Sequence, residues 1–281
     1  MTVLVILVAT LVAGIGSVWL AAWLSFGLIS RYTRHMLSLA AGGLLATAFL
    51  HLLPEALDQG GSADSLFATL LVGLVFFFLL DKAELWHHGH EHHHGDTAHD
   101  PVSEASHAHV HDHRAHAQPD VHGHAHTHNP GSWTVLAGDS VHCFGDGILI
   151  ASAFMADTAL GLVAALAVLA HEVPHHMGDL AVLRQSTGTR QAAVLKVSLA
   201  GAVTALGGLA GYVLVDALQH LLPYFLAVAS SSFIYVALAD LIPQLQKRLS
   251  LRETVAQVLW LGAGMGLVTL VSLWAHSGHA H

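Results

Sequence analysis

AHEVPHHMGDL, residues 170–180, admits two readings, and the choice between them decides the fold. His171-Glu172-Val173-Pro174-His175 fits H-E-x-x-H, which sets two metal-binding imidazoles one helical turn apart with a carboxylate beside them, as in zinc hydrolases. The surroundings point elsewhere. The motif lies inside an apolar run over 159–183, long enough to cross a bilayer, which takes roughly 20 apolar residues at about 1.5 Å each.

Working outward, seven more such runs occur near 3–29, 35–57, 65–85, 133–156, 191–216, 222–245 and 253–275. The chain is 54% hydrophobic and only 10% charged, against about 25% charged in soluble domains. Lipid leaves unpaired backbone groups without partners, so the runs are read as helices. The expected fold is an all-α polytopic membrane protein with eight transmembrane helices. The first run begins at Val3 without a basic region or a small-residue cleavage site, so it is taken as a retained span.

All ten basic residues fall on one side of this arrangement: Arg31 and Arg34, then Lys82 and Arg114, then Arg184, Arg190 and Lys196, then Lys247, Arg248 and Arg252. The positive-inside rule makes that side cytoplasmic and puts both termini outside. The single Cys143 excludes an intrachain disulfide. The formal charge of −9 counts 26 histidines as neutral, so mild acid raises the net charge sharply. No nucleic-acid partner is expected; the bilayer is.

The expected organisation is transmembrane helices 1–3 over 1–85, a cytoplasmic loop over 86–130, and helices 4–8 over 131–281. The loop holds 16 of the 26 histidines, as in HHGHEHHHGD (87–96) and VHGHAHTHNP (121–130). Gly, Pro, Asp and Ala fill its gaps, so it is expected to be disordered when unliganded. Its neutral imidazoles suit weak, multisite binding of metals such as Zn²⁺, as a buffer or sensor.

AFLHLLPE (48–55) and ALADLIPQ (237–244) share Ala, a polar residue, Leu, an aliphatic and Pro in register. They lie on spans two and seven, which run in opposite directions. An inverted 3+2+3 repeat has this signature, with spans four and five in the middle. Gly207, Gly208 and Gly211, with Gly262, Gly264 and Gly266, suit close helix packing, within the bundle or across a homodimer face.

Ionisable residues inside a membrane mark ion pathways. Span four reads VHCFGDGILIASAF (141–154), with His142, Cys143 and Asp146. Span five carries His171, Glu172, His175, His176 and Asp179. His142 and Asp146 share a helix face, as do His171 and His175. From the cytoplasmic ends, His142 and His175 sit about 12–14 Å deep and Asp146 and His171 about 18–20 Å. Antiparallel neighbours would bring these four to matching heights, and imidazoles with carboxylates suit Zn²⁺. Pro174 strains the helix near Ala170 and frees a carbonyl.

These two segments resemble the paired motifs of the ZIP family of divalent metal transporters, H-N-x-x-D-G on the fourth span and H-E-x-P-H-E-x-G-D on the fifth. The span count, the outside termini and the His-rich loop are similar too. The resemblance implies that His142, Asp146, His171 and His175 ligate the transported metal. It implies that Glu172 and Cys143 border or complete a second, adjacent position. It implies carriage of Zn²⁺, or in some members Cd²⁺, Fe²⁺ or Mn²⁺, into the cytoplasm. The chain departs from the pattern at Cys143, where Asn is usual, and at His176, where Glu is usual. A thiolate is softer than an amide oxygen, which favours Zn²⁺ and Cd²⁺.

Further residues are candidates for the route: His51 and Glu55 at the outer end of span two, and Asp139, His176, Asp179 and Asp240 toward the cytoplasm. Two other functions fit the motifs less well. An intramembrane zinc protease would use Glu172 to activate a zinc-bound water, but the crowded donor set leaves little room for water and a peptide bond. A cation diffusion facilitator exporter has six spans and lacks H-E-x-P-H. A chain without a large extramembrane domain suits a bacterial inner membrane better than an organelle membrane.

Overall fold

A computed structural model describes residues 2–26, 33–89, 131–245 and 250–277. The histidine-rich segment 90–130, with its expected metal buffering, lies outside the described residues. Eight long helices account for most of the rest: α1 (2–26), α2 (33–58), α3 (Ala63–Gly89), α4 (Gly131–Ala156), α5 (Thr158–Thr187), α6 (Arg190–Ala217), α7 (222–245) and α8 (Leu251–Ser277). The described residues contain no strand. Helix α3 continues to Gly89, four residues past the expected edge of the loop.

Seven of the eight are long and apolar enough to cross a membrane. The exception is α4, which is 26 residues long but carries Asp139, His142 and Asp146. Its polarity is tolerable because it is enclosed by α1, α5, α6 and α7. The periphery is the reverse. Only 11% of the apolar window of α3 and 22% of that of α8 is buried, against 67% in α2 and 61% in α5 and α7. Leu71, Val72, Leu270 and Trp274 project outward from α3 and α8, where lipid rather than water would meet them.

The interior core is built from Leu44 and Leu52 of α2, Ile150 of α4, Val168 of α5, and Leu226 and Phe233 of α7. Small residues set the closest approaches. A Cβ on Gly207 would collide with the Phe144 carbonyl, and one on Gly147 with the Thr204 carbonyl, so α4 and α6 touch backbone to backbone. Gly42 and Gly264 do the same for α2 and α8, against Leu261 and Leu39. The expected packing role is met within the bundle by Gly207, Gly208, Gly211 and Gly264, whereas Gly262 and Gly266 face open space.

The repeat seen in sequence has a structural counterpart. Helix α2 widens into a π-helical turn over Thr47–Leu52, and α7 does so over Val236–Leu241. Each wide turn closes with an i→i−5 hydrogen bond, Leu53 N–H to Ala48 O and Ile242 N–H to Ala237 O. Each is followed one residue later by a proline, Pro54 or Pro243. Proline lacks an N–H and clashes with the carbonyl four residues back, and a widened turn relieves both. The neighbours correspond as well. Helix α2 lies against α8 and α7 against α3, while α1 lies against α5 and α6 against α4. Exchanging helices 1–3 with 6–8, and 4 with 5, maps these pairs onto one another, as a 3+2+3 repeat requires.

Candidate metal centre

The centre is placed by a minimal turn. Asp157 alone separates α4 from α5; it adopts an extended conformation and its carboxylate accepts the Leu160 N–H at 3.0 Å, an N-cap for α5. A one-residue link forces the helices antiparallel and adjacent. Asp146 lies about 17 Å back from that turn and His171 about 21 Å forward, so they meet at similar height. Helix α5 remains continuous through Pro174 and ends at Gly188, whose φ of +69° suits glycine.

Three groups of donors form among the described residues, each with its ligand atoms within 4.8 Å of one another. The first is His142, Asp146, His171 and Glu172. His171 Nε2 lies 3.2 Å from Asp146 Oδ2, 3.3 Å from Glu172 Oε1 and 3.4 Å from His142 Nε2. His142 Nε2 lies 3.2 Å from Glu172 Oε1 and 3.9 Å from Asp146 Oδ2. A tetrahedral zinc with bonds of about 2.0–2.1 Å has donor–donor edges of about 3.3–3.4 Å. The four donors therefore stand close to the spacing a four-coordinate ion needs. His171 Nδ1 lies 3.2 Å from the Ala167 carbonyl. A carbonyl only accepts, so Nδ1 carries the proton and Nε2 turns its lone pair into the group.

The second group is Asp139, Cys143, Glu172 and His176, all buried. His176 Nε2 lies 3.0 Å from Glu172 Oε2 and 3.6 Å from Asp139 Oδ1. Cys143 Sγ lies 3.7 Å from Asp139 Oδ1 and 3.8 Å from Glu172 Oε2. Glu172 thus joins the two groups, one oxygen facing each. The shared carboxylate and two aspartates in low dielectric are costly without a cation, several kcal/mol per uncompensated charge. Asp139 Oδ2, Asp146 Oδ2, Glu172 Oε1 and His176 Nε2 are all buried without a hydrogen bond, as expected of atoms arranged to ligate.

His175 stands apart from the first group, with which the motif resemblance had placed it. Its Nε2 lies 3.7 Å from Asp139 Oδ1 and 3.6 Å from Asp179 Oδ2, and its ring is half-exposed. These three form a further set, and its ring centroid is 5.5 Å from that of His142. Asp139 therefore belongs to both the second and the third set. From sequence, Asp139 and His176 are expected only along the route. Their spacing held the signal, since Asp139/Cys143 and Glu172/His176 are each four apart and share a face.

The remaining candidates lie elsewhere. His51 sits in the π turn of α2, its Nδ1 3.4 Å from Ser272 Oγ of α8. Glu55 Oε1 accepts from Gln59 Nε2 at 2.8 Å. Neither belongs to a metal-type group among the described residues. Asp240 lies in the π turn of α7, but its side chain is outside the described residues. Ala170, opposite Pro174's missing donor, lines an apolar cavity of about 360 Å³ with Leu166, Met36 and Trp260.

Buried donors on adjacent antiparallel helices, within a bundle of membrane-length helices, agree with comparison to known proteins. A family model described as ZIP Zinc transporter matches residues 1–272. The chain belongs to the ZIP zinc transporter family. It is similar to the zinc transporter ZIP13 of Mus musculus, 28% identical over 260 residues, covering 86% of this chain and 70% of that protein. It is 34% identical over 271 residues to zinc transporter zipt-7.2 of Caenorhabditis elegans, covering 85% of this chain and 58% of the relative. Against human zinc transporter ZIP4 it is 29% identical over 280 residues, spanning 86% of this chain but only 42% of the relative.

ZIP membership makes this a multi-pass membrane protein of divalent metal transport rather than an enzyme. His171-Glu172-Val173-Pro174-His175 accordingly lies in a transporter family and not in a zinc hydrolase.

Proposed function

We propose that the protein carries Zn²⁺ into the cytoplasm through a site between α4 and α5 near the middle of the membrane. One observation carries this reading: the near-tetrahedral convergence of buried Asp146, His171 and Glu172 with the partly exposed His142. The names of the relatives support zinc as the substrate. Asp139, Cys143, Glu172 and His176 are a second metal position, with Glu172 bridging, and Asp139, His175 and Asp179 continue the route from there. Cys143 extends the substrate range toward Cd²⁺ rather than Fe²⁺ or Mn²⁺, because thiolate is the softest donor present. His51 and Glu55 serve the outer mouth and Asp240 the inner one. Inward transport is what the ZIP resemblance implies; the positive-inside rule puts both termini outside, in a bacterial inner membrane. The histidine-rich segment 86–130 competes for metal on the cytoplasmic side and tunes release. Gly262 and Gly266 face open space, and a homodimer packs through the apolar outer face of the bundle.

Uptake of ⁶⁵Zn²⁺ into proteoliposomes tests the reading. Saturable uptake is expected from the wild type and none from His171→Ala at equal incorporation. Normal uptake by the variant would remove α5 from the pathway.

A further inference from the structure

Ser17 of α1 carries no donor to either metal-type group, yet it reaches one. Its Oγ lies 3.0 Å from His176 Nδ1, and both side chains are fully buried. We propose that Ser17 is a positioning residue for the second metal position, holding His176 with its Nε2 lone pair directed at the metal. This rests on the reading of Asp139, Cys143, Glu172 and His176 as a metal position.

The tautomer follows from counting protons. A serine hydroxyl has one hydrogen, and Ser17 donates it to the Gly14 carbonyl at 2.6 Å. Toward His176 the oxygen can then only accept, so Nδ1 carries the proton. Nε2 is left as the lone-pair nitrogen, facing Glu172 Oε2 at 3.0 Å and Asp139 Oδ1 at 3.6 Å. Metal-bound histidines are held by the hydrogen bond their other nitrogen makes. Ala167 does this for His171 by a carbonyl of the same helix. His176 is held instead from a different helix.

The hydroxyl is placed by local structure in α1. A π-helical turn spans Val12–Gly16, directly before Ser17. Within it Gly14 packs against the Gly201 carbonyl and Thr204 of α6, leaving no room for a Cβ. That contact fixes the acceptor of the Ser17 hydrogen, and with it the direction of the remaining lone pairs. The residue that departs from the family motif, His176, thus has a dedicated partner in α1. A glutamate there would have no Nδ1–H to offer it.

The test uses the single cysteine as a reporter. Cd²⁺ bound to Cys143 thiolate gives an ultraviolet ligand-to-metal charge-transfer band, and no other thiol in the chain can contribute. The purified full chain in detergent is titrated with Cd²⁺ alone. Ser17→Ala is expected to weaken the band's midpoint about 10–100-fold, the usual cost of losing such a partner. In a His176→Glu background the same substitution is expected to change nothing. A wild-type midpoint in Ser17→Ala would overturn the proposal, and so would an equal loss in both backgrounds, which marks a merely structural serine. Absence of any band in the wild type, with ⁶⁵Zn²⁺ uptake still dependent on His171, would instead remove the second metal position itself. A measurement free of substitutions at Ser17 stands beside these: ¹⁵N spectra of Cd²⁺-loaded protein are expected to show His176 protonated at Nδ1 and ligated at Nε2. Protonation at Nε2 would overturn the assignment.

Discussion

At the scale of single residues, the two donor groups are defined by Glu172. Its oxygens are separated so that Oε1 faces His142 and His171 while Oε2 faces His176 and Cys143. The sequence shows Glu172 beside His171 but not which oxygen meets which partner, because that depends on α4. Cys143 allows a sharp prediction. It is fully buried and within 3.8 Å of two carboxylates, so its sulfur is set beside polar groups rather than in a purely apolar pocket. Cys143→Asn, the family's usual residue, is expected to lower competition by Cd²⁺ against ⁶⁵Zn²⁺ uptake by roughly tenfold, with Zn²⁺ uptake retained. Unchanged Cd²⁺ competition would mean the thiol only fills space.

At the scale of elements, the site depends on helices that approach closely and on one that widens. Helix α4 bears the donors on one side and rests on α6 on the other, with Gly207 against the Phe144 carbonyl. Phe144 directly follows Cys143, so any outward push on α4 there displaces the donors. Gly207→Leu is expected to destabilise the bundle by at least the 1–3 kcal/mol typical of overpacking. A lowered melting temperature in detergent, with lost uptake, is the expected readout; a wild-type melt would mean α4 and α6 can separate without cost. The paired π turns of α2 and α7 were only half visible in sequence. The matching prolines and leucines were legible, and so was the inverted repeat they suggested. The wide turn itself was not, because a proline in a helix can be met by a kink, a break or a π turn.

At the scale of the whole molecule, the core encloses the polar helix and the periphery is apolar, as in a protein that takes lipid as its solvent. Helices α3 and α4 make contacts with α7, α5 and α6 through residues within the helices themselves. Deletion of residues 90–128 is therefore expected to leave ⁶⁵Zn²⁺ uptake into proteoliposomes in place while altering its dependence on internal metal. Complete loss of uptake in a correctly inserted deletion variant would make the segment part of the carrier. The motifs place the chemistry on two helices, and the one-residue link at Asp157 makes them neighbours. Neither says how α1 enters the site.

Sequence alone determined the class of the protein, since the number and length of apolar runs follow from the thickness of a bilayer and need no tertiary information. It also determined the donor types, because imidazole, carboxylate and thiol are properties of side chains, and it located them through i,i+4 spacing. Tertiary structure decided how those donors divide. Helix rotation and the close α4–α6 contact turn His176 and Asp139 inward, set His175 aside with Asp179, and bring Ser17 across from α1. Such choices depend on rotations of a fraction of a turn, set by packing between helices far apart in sequence.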